Sequence, residues 1–232
     1  EGKIEWQKVF GGQYADQLRS AVQTRDGGYL LGGSSNSPES GNKSEKCYGM
    51  SDYWIIKLDA KGGVEWQKAY GGEGDDQLQA VLQARDGNFL LAGSSSSATT
   101  GNKNASNDKG TDFWLLKVDT AGEILWQKTY DIGKADLLTS LEESRDGSLL
   151  LGGHAQSEAY ATKKKDREGI NDYIAIKTDD KGEEQWTQTV GSGGEDILRK
   201  AIETRDGGYI LAGTSMGTPS RDRYSGQGRN DF

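Results

Sequence analysis

Cysteine and histidine each occur once among 232 residues, and methionine and proline twice each. The single Cys47 cannot close an internal disulfide, so the fold does not depend on oxidation and the compartment stays open. One histidine and one cysteine exclude, by counting, a metal site built from those ligands. Any His-based triad would have to use His154, which stands where the other repeats carry Ser34, Ser94 and Thr214 and therefore reads as a loop variant. Long apolar runs are missing too. No stretch of 18 apolar residues exists, so membrane insertion is not expected, and the opening EGKIEWQK lacks the regions of a signal peptide. Positive charge is in deficit, with 28 Lys and Arg against 36 Asp and Glu and a formal net charge of -8. That balance repels a phosphate backbone, and the one basic run, KKKDR at 163–167, lies in a polar stretch and reads as solvated loop; nucleic acid is not an expected partner.

What the chain has in abundance is glycine, 34 residues in a sequence only 33% hydrophobic, which marks a domain rich in turns. It also repeats itself. Trp6, Trp66, Trp126 and Trp186 are spaced by 60, as are Asp16, Asp76, Asp136 and Asp196, then Asp26, Asp86, Asp146 and Asp206, then Gly33, Gly93, Gly153 and Gly213. The units run 5–64, 65–124, 125–184 and 185–232. A further block, DYWIIKLD at 52, recurs as DFWLLKVD at 112 and DYIAIKTD at 172, and its fourth copy begins at Asp231-Phe232.

Each unit holds four segments that read as strands. IEWQKVF (4–10) and YWIIKLD (53–59) alternate and carry β-branched and aromatic residues. QLRSAVQT (17–24) and YLLGGSS (29–35) flank TRDGG, whose Asp-Gly predicts a type I′ hairpin turn with positive φ at both central residues. DQLQAVLQARDG (76–87) also fits a short helix, with Asp76 as N-cap, Leu78, Val81 and Leu82 on one face, and Gly87 as C-cap. The strand is preferred because the segment is short and another apolar run follows at once. Four short antiparallel strands per repeat, strictly spaced, predict an all-β fold of about four blades, a β-propeller.

The pattern DYWIIKLDAKGGVEWQKAYGG, followed by Asp and RDGNFLLAGSSSS, resembles the repeats of about 60 residues found in secreted and surface proteins of the Bacteroidetes. Those proteins often carry a sorting signal for type 9 secretion, so the resemblance implies an extracellular or cell-surface location. It covers essentially the whole chain and is specific for architecture, weak for function. The expected blade runs 16–24, 29–35, 53–59 and 64–70, with LRSAV innermost and the tryptophan strand at the rim. Segment 4–10 would be the outer strand of a preceding blade in a propeller of six to eight blades. A four-bladed ring, or a gap filled by a partner's strand, is the alternative.

Repeated residues maintain a repeat, so the Asp16 series is expected to cap turns rather than ring a cation. The Arg25 series is expected to pair with surface carboxylates, and the Trp6 series to pack between blades rather than form sugar platforms. TRDGG also resembles the aspartate box of sialidase propellers, which is structural in that family; Ala84 departs from it. Function is sought where repeats differ, in the polar connectors 35–51, 95–111, 155–171 and 215–230. Candidate binding residues there are Tyr48, Asp52, Asp112, Tyr160, Asp172 and Tyr224, with Asx turns expected at the three aspartates. No cofactor is implied, and calcium has no Asp-x-Asp-x-Asp loop to hold it. These observations point to a non-enzymatic module binding a protein partner. A glycan-binding propeller and a glycosidase with an unidentified carboxylate pair stand as alternatives.

Overall fold

The computed structural model describes residues 2–105, 110–156, 171–192 and 194–216. Among these residues all regular structure is β, in four antiparallel sheets, and no sheet closes into a barrel. The first sheet has the order β1(Asp16–Gln23), β2(Tyr29–Ser35), β3(Asp52–Leu58), β4(Val64–Tyr70). The second repeats that order with β5(Asp76–Gln83), β6(Phe89–Ser95), β7(Asp112–Val118) and β8(Ile124–Tyr130). The third does so with β9(Asp136–Glu143), β10(Leu149–Gln156), β11(Asn171–Thr178) and β12(Glu184–Val190), and the fourth pairs β13(Asp196–Glu203) with β14(Tyr209–Ser215). Strand order within a repeat thus follows chain order, and the segment from 76 is a strand, not a helix.

A bulge explains why a helix fitted that segment. In β5 the register steps from Leu78 opposite Gly93 to Ala80 opposite Ala92, so Gln79 is extra, and Leu78 and Val81 fall on one face three residues apart. Helical spacing of apolar residues therefore arises in a strand. β1 and β13 carry the same step at Arg19 and Arg199. The bulge also accounts for a glycine series, because it drives a carbonyl against the second strand. A Cβ on Gly33 would stand 1.9 Å from the Gln17 oxygen, and on Gly93, Gly153 and Gly213 2.1, 2.3 and 2.1 Å from the matching carbonyls.

Two expectations are corrected. Segment 4–10 forms no strand. Its counterparts β4, β8 and β12 each pair with the third strand of their own sheet. The hairpin turn is also not type I′. Gly27 N donates to Thr24 O at 2.9 Å while Thr24 N donates to Gly28 O at 2.9 Å, so Arg25 and Asp26 are central and Gly27, at φ +85°, is an αL bulge. That is a three-residue loop ending in a glycine bulge, which an Asp-Gly pair serves as well as the two-residue turn.

The described chain divides into two compact units, Glu1–Ser106 with Leu115–Gln127, and Asn107–Trp114 with Lys128–Phe232. In the first unit, β5 lies against the first sheet: Leu78 and Val81 press on Gly32, where a Cβ would come within 2.5 and 2.4 Å of them. Leu78 N donates to Ser34 Oγ at 2.8 Å and Val81 N to Ser20 Oγ at 3.2 Å. In the second unit, Leu198 and Ala201 press on Gly152 in the same way, and Ala201 N donates to Ser140 Oγ at 3.2 Å. Leu150, Ala175, Leu198 and Ala201 form the buried cluster there.

Candidate functional site

The Arg-Asp-Gly corner is held by charge on its own sheet. Asp26 accepts from Thr24 Oγ1 at 2.5 Å and Gly28 N at 2.9 Å, and pairs with Lys57 Nζ at 2.8 Å. The Lys57 contact, then the Thr24 and Gly28 bonds, hold its carboxyl far below the usual range. Lys57 is buried and also meets Glu65 at 2.8 Å. Lys117 with Asp86 at 2.7 Å and Lys177 with Asp146 at 3.8 Å repeat the arrangement. Asp206 accepts from Thr204 and from Gly208 N. Arg25 beside it pairs with no carboxylate among the described residues, contrary to expectation. Arg25 donates to the Ala84 and Arg85 carbonyls at 2.9 and 2.8 Å, and Arg145 to the Arg205 carbonyl at 3.0 Å, so the guanidinium clasps the next hairpin. A planar fork suits two adjacent carbonyls.

Three of the repeated tryptophans meet an aromatic residue at the start of the second strand of the sheet that follows them. Trp6 meets Tyr29 edge-on at 5.6 Å, Trp66 lies against Phe89 at 6.2 Å, and Trp186 meets Tyr209 edge-on at 5.0 Å. Trp66 Nε1 also donates to Thr120 O at 3.0 Å. Trp126 is half-buried at the same place in β8. These three rings pack against their aromatic partners, and Trp6 stays 38% exposed.

Below the connectors, two aspartate series converge. Asp16 accepts from Gly12 N at 2.7 Å and Ser35 Oγ at 2.5 Å, Asp76 from Gly72 N at 2.8 Å and Ser97 Oγ at 2.7 Å. Asp136 accepts from Ile132 N at 2.7 Å and Gly133 N at 3.1 Å, and Asp196 from Ser192 N at 2.6 Å. Each closes the turn that enters the first strand of its repeat. Asp52, Asp112 and Asp172 are buried at the start of the third strands, so they stand under the connectors and not on their surface. Asp52 makes no forward Asx turn; its Oδ2 accepts from Tyr48 N, four residues back, at 2.6 Å. A Cβ on Gly71 would lie 2.1 Å from Asp52 Oδ1 and 2.8 Å from Asp76 Oδ2, which puts these two carboxylates side by side in the first unit. Burial first, with Asp76 contributing, pushes Asp52 up to about 6, and burial raises Asp76 as well.

The third repeat adds a carboxylate at this point. Asp131 occupies the position of Gly11, Gly71 and Gly191, and with Asp112 and Asp136 it brings three carboxylate oxygens within 4.8 Å in the second unit. Asp136 is fully buried and pushed up to about 6, by burial first and by the Asp131 charge. Carboxylates so grouped can share protons or face a cation. Spacing alone did not reveal the trio, although the change from glycine to aspartate at 131 was visible.

Sequence reasoning also missed the clamp under the connectors. Gly-Asn-Lys occurs at 41–43 and again at 101–103. Asn42 accepts from Gly11 N at 2.8 Å and donates to Val9 O at 2.7 Å; Asn102 accepts from Gly71 N at 2.9 Å and donates to Ala69 O at 2.8 Å. Lys43 is buried, with Nζ donating to Ser37 O at 2.9 Å and Glu45 O at 2.5 Å, and buried Lys103 donates to Ser97 O at 2.6 Å. Above this clamp Tyr48 is half-buried beneath the Lys46 ammonium, 4.6 Å from its ring centre, while Met50 is exposed. Tyr160 and Tyr224 lie outside the described residues. His154 is buried on β10, and its Nδ1 meets no hydrogen-bond partner among the described residues. Burial and the Arg199 charge lower its pKa.

The elements and their packing define an all-β protein of repeated antiparallel sheets. No family model matches the chain, and no curated protein matches it. Among solved structures it is similar to a protein of unknown function from Bacteroides caccae, at 12% identity and a TM-score of 0.45, over 86% of this chain and 54% of that one. The chain thus spans about half the length of that structure.

Proposed function

We propose that the sheets are blades of a β-propeller of the type found in secreted and surface Bacteroidetes proteins, and that the chain is a non-enzymatic module binding a protein partner. The connectors between second and third strands are the binding elements. The observation that carries this reading is the contrast within a repeat. Asp16, Asp26, Trp66 and Asn102 are engaged in holding sheets and connectors in place, whereas connector residues such as Lys46, Tyr48 and Met50 vary from repeat to repeat above a fixed base. Rigid display of variable loops lowers the ordering cost of association. Export to the cell surface by a type 9 pathway goes with this reading.

The test is affinity capture from the surface fraction of the source organism, comparing the chain with a form in which residues 44–50 are replaced by Gly and Ser. A partner retained by the first and lost by the second, at unchanged melting temperature, is the expected result. Partner binding indifferent to the replacement, or turnover in a broad hydrolase screen, would overturn the proposal.

A further inference from the structure

The third repeat departs from the others by two substitutions that meet at one place. Position 131 is glycine in the other copies, Gly11, Gly71 and Gly191, and there the backbone lies close on a carboxylate. A Cβ on Gly71 would stand 2.1 Å from Asp52 Oδ1, and one on Gly191 1.8 Å from Asp172 Oδ1. Aspartate at 131 therefore adds bulk and charge where the repeat otherwise keeps neither. Position 155, the residue paired with Asp136 across the first two strands of its sheet, is serine in the other copies, Ser35, Ser95 and Ser215, and alanine here. Ser35 Oγ donates to Asp16 Oδ1 at 2.5 Å, and Ser95 also bonds to Asp76. Ala155 is buried and has no hydroxyl to give. One repeat thus gains a carboxylate and loses a donor at the same point.

The result is an oxygen-rich site with one side open. Asp136 is 0% exposed; its Oδ2 accepts from Ile132 N and Gly133 N, while its Oδ1 is buried with no hydrogen-bond partner among the described residues. Asp112 is 0% exposed as well, and Asp131 is exposed, which leaves the trio a path to solvent. The frame that carries them is fixed: Asp136 N donates to Thr111 O at 2.6 Å, and a parallel bridge joins Thr111 to Ala135, tying the entry of β7 to the entry of β9. In the first unit Asp52 and Asp76 also each keep a buried oxygen without a partner, but they are two, and one shared proton relieves a pair of carboxylates. A third carboxylate leaves charge that one proton does not cover. The Asp131 charge adds to burial in opposing ionisation of Asp136, so the substitution destabilises the fold unless something positive faces it.

We propose that Asp112, Asp131 and Asp136 form a calcium site. Carboxylate oxygens are the ligands of hard cations, and two oxygens bound to one Ca2+ at about 2.3–2.6 Å stand at most about 4.6–5.2 Å apart. The three oxygens here lie within 4.8 Å of one another, so one ion can touch all of them. Water on the Asp131 side completes the shell. The ion takes up the charge of Asp131 and supplies to Asp136 the partner that Ala155 withholds. It also pins the end of the connector that runs into β7, and the site stands whether or not the connectors bind a protein.

Isothermal titration of the full chain, stripped with EDTA and desalted, with calcium chloride tests the site. The expected result is one Ca2+ per chain with a Kd of about 0.1–1 mM. The melting temperature rises by at least about 2 °C at saturating calcium and not in sodium chloride of equal ionic strength. Asp131→Gly restores the residue of the other repeats and should weaken binding at least about tenfold. In EDTA the same variant melts at or above the wild-type temperature, because a like charge beside Asp136 is gone. If circular dichroism shows Asp131→Gly to be misfolded, Asp131→Asn, which keeps the shape and drops the charge, replaces it with the same expectations. A wild-type chain with neither a saturable calcium heat nor a calcium-dependent rise in melting temperature overturns the proposal. So does calcium binding of undiminished affinity in the variant, tighter binding of Mg2+ than of Ca2+, or a folded variant less stable than wild type in EDTA, which would make Asp131 a structural residue.

Discussion

Asp26 answers to chemistry on its own sheet: a carboxylate within reach of a buried lysine and two turn donors is committed to holding a corner. Gly27 beside it is required by its φ of +85°, where an L side chain is strained. Gly27→Ala is expected to cost about 1–2 kcal/mol, read from urea unfolding, with the loss confined to unfolding midpoint and not to slope. Asp136 behaves oppositely, because its environment disfavours its charge. Its pKa rises from the ordinary 3.8 to about 6 on folding. Between those values the folded state keeps a proton that the unfolded state has released, so this group's contribution falls as pH rises from about 4 to 6 and stays low above that. Asp52 acts in the same window and sense. Asn at 136 retains an acceptor for Ile132 and Gly133 N–H but cannot ionise. Asp136→Asn should therefore gain stability relative to wild type on going from pH 4 to 7, by at most about 3 kcal/mol. Denaturant titrations of both proteins across that range measure the difference directly; a difference independent of pH would refute the buried charge.

At the scale of elements, the legible part of the fold was whatever the 60-residue period carried. Turn residues and apolar alternation located all four strand types, and their order in the sheet followed from chain order. Alternation failed where backbone geometry broke it: the bulge at Gln79 set Leu78 and Val81 three apart on one face and made a strand look helical. Partners of side chains were not legible, because the period fixes positions in a repeat but not which neighbour a side chain reaches. Arg25 was therefore assigned carboxylates when it clasps carbonyls, and the carboxylate trio stayed hidden although its members lie only 5 to 24 residues apart. The Gly-Asn-Lys clamp was repeated at the same spacing but lay inside connectors that looked merely polar. Its weight can be measured. Asn102→Ala removes the bonds to Gly71 N and Ala69 O and leaves buried backbone groups unpaired, which should cost about 2–3 kcal/mol. Trp66→Ala removes the Phe89 contact and the Thr120 bond and should cost about 3 kcal/mol. Calorimetric melting of the two variants ranks these contributions; an Asn102→Ala protein as stable as wild type would mean the connector bases are not held by the clamp.

Across the whole molecule, stability in a repeat protein is a sum of repeat and nearest-neighbour terms, and the sheets here are unequal in both. β6 is buried at every position from Phe89 to Ser95, with a strand paired on each side. β14 is exposed or half-buried throughout, pairs with β13 alone among the described residues, and leaves Ile210 50% exposed. A two-stranded ribbon is marginal by itself, so the last sheet is held chiefly by Leu198 and Ala201 on Gly152 and by Trp186 on Tyr209. Opening it costs few buried contacts, and opening the second sheet costs many. Amide hydrogen exchange at low protein concentration should accordingly find the β14 amides exchanging at least about tenfold faster than those of β6, a difference of about 1.4 kcal/mol in opening free energy. Trp186→Ala should speed β14 further without reaching β6, since the tryptophan braces only the adjoining sheet. Equal exchange of the two strands would mean that the chain opens as one cooperative block, and the independence of its end sheet would have to be abandoned.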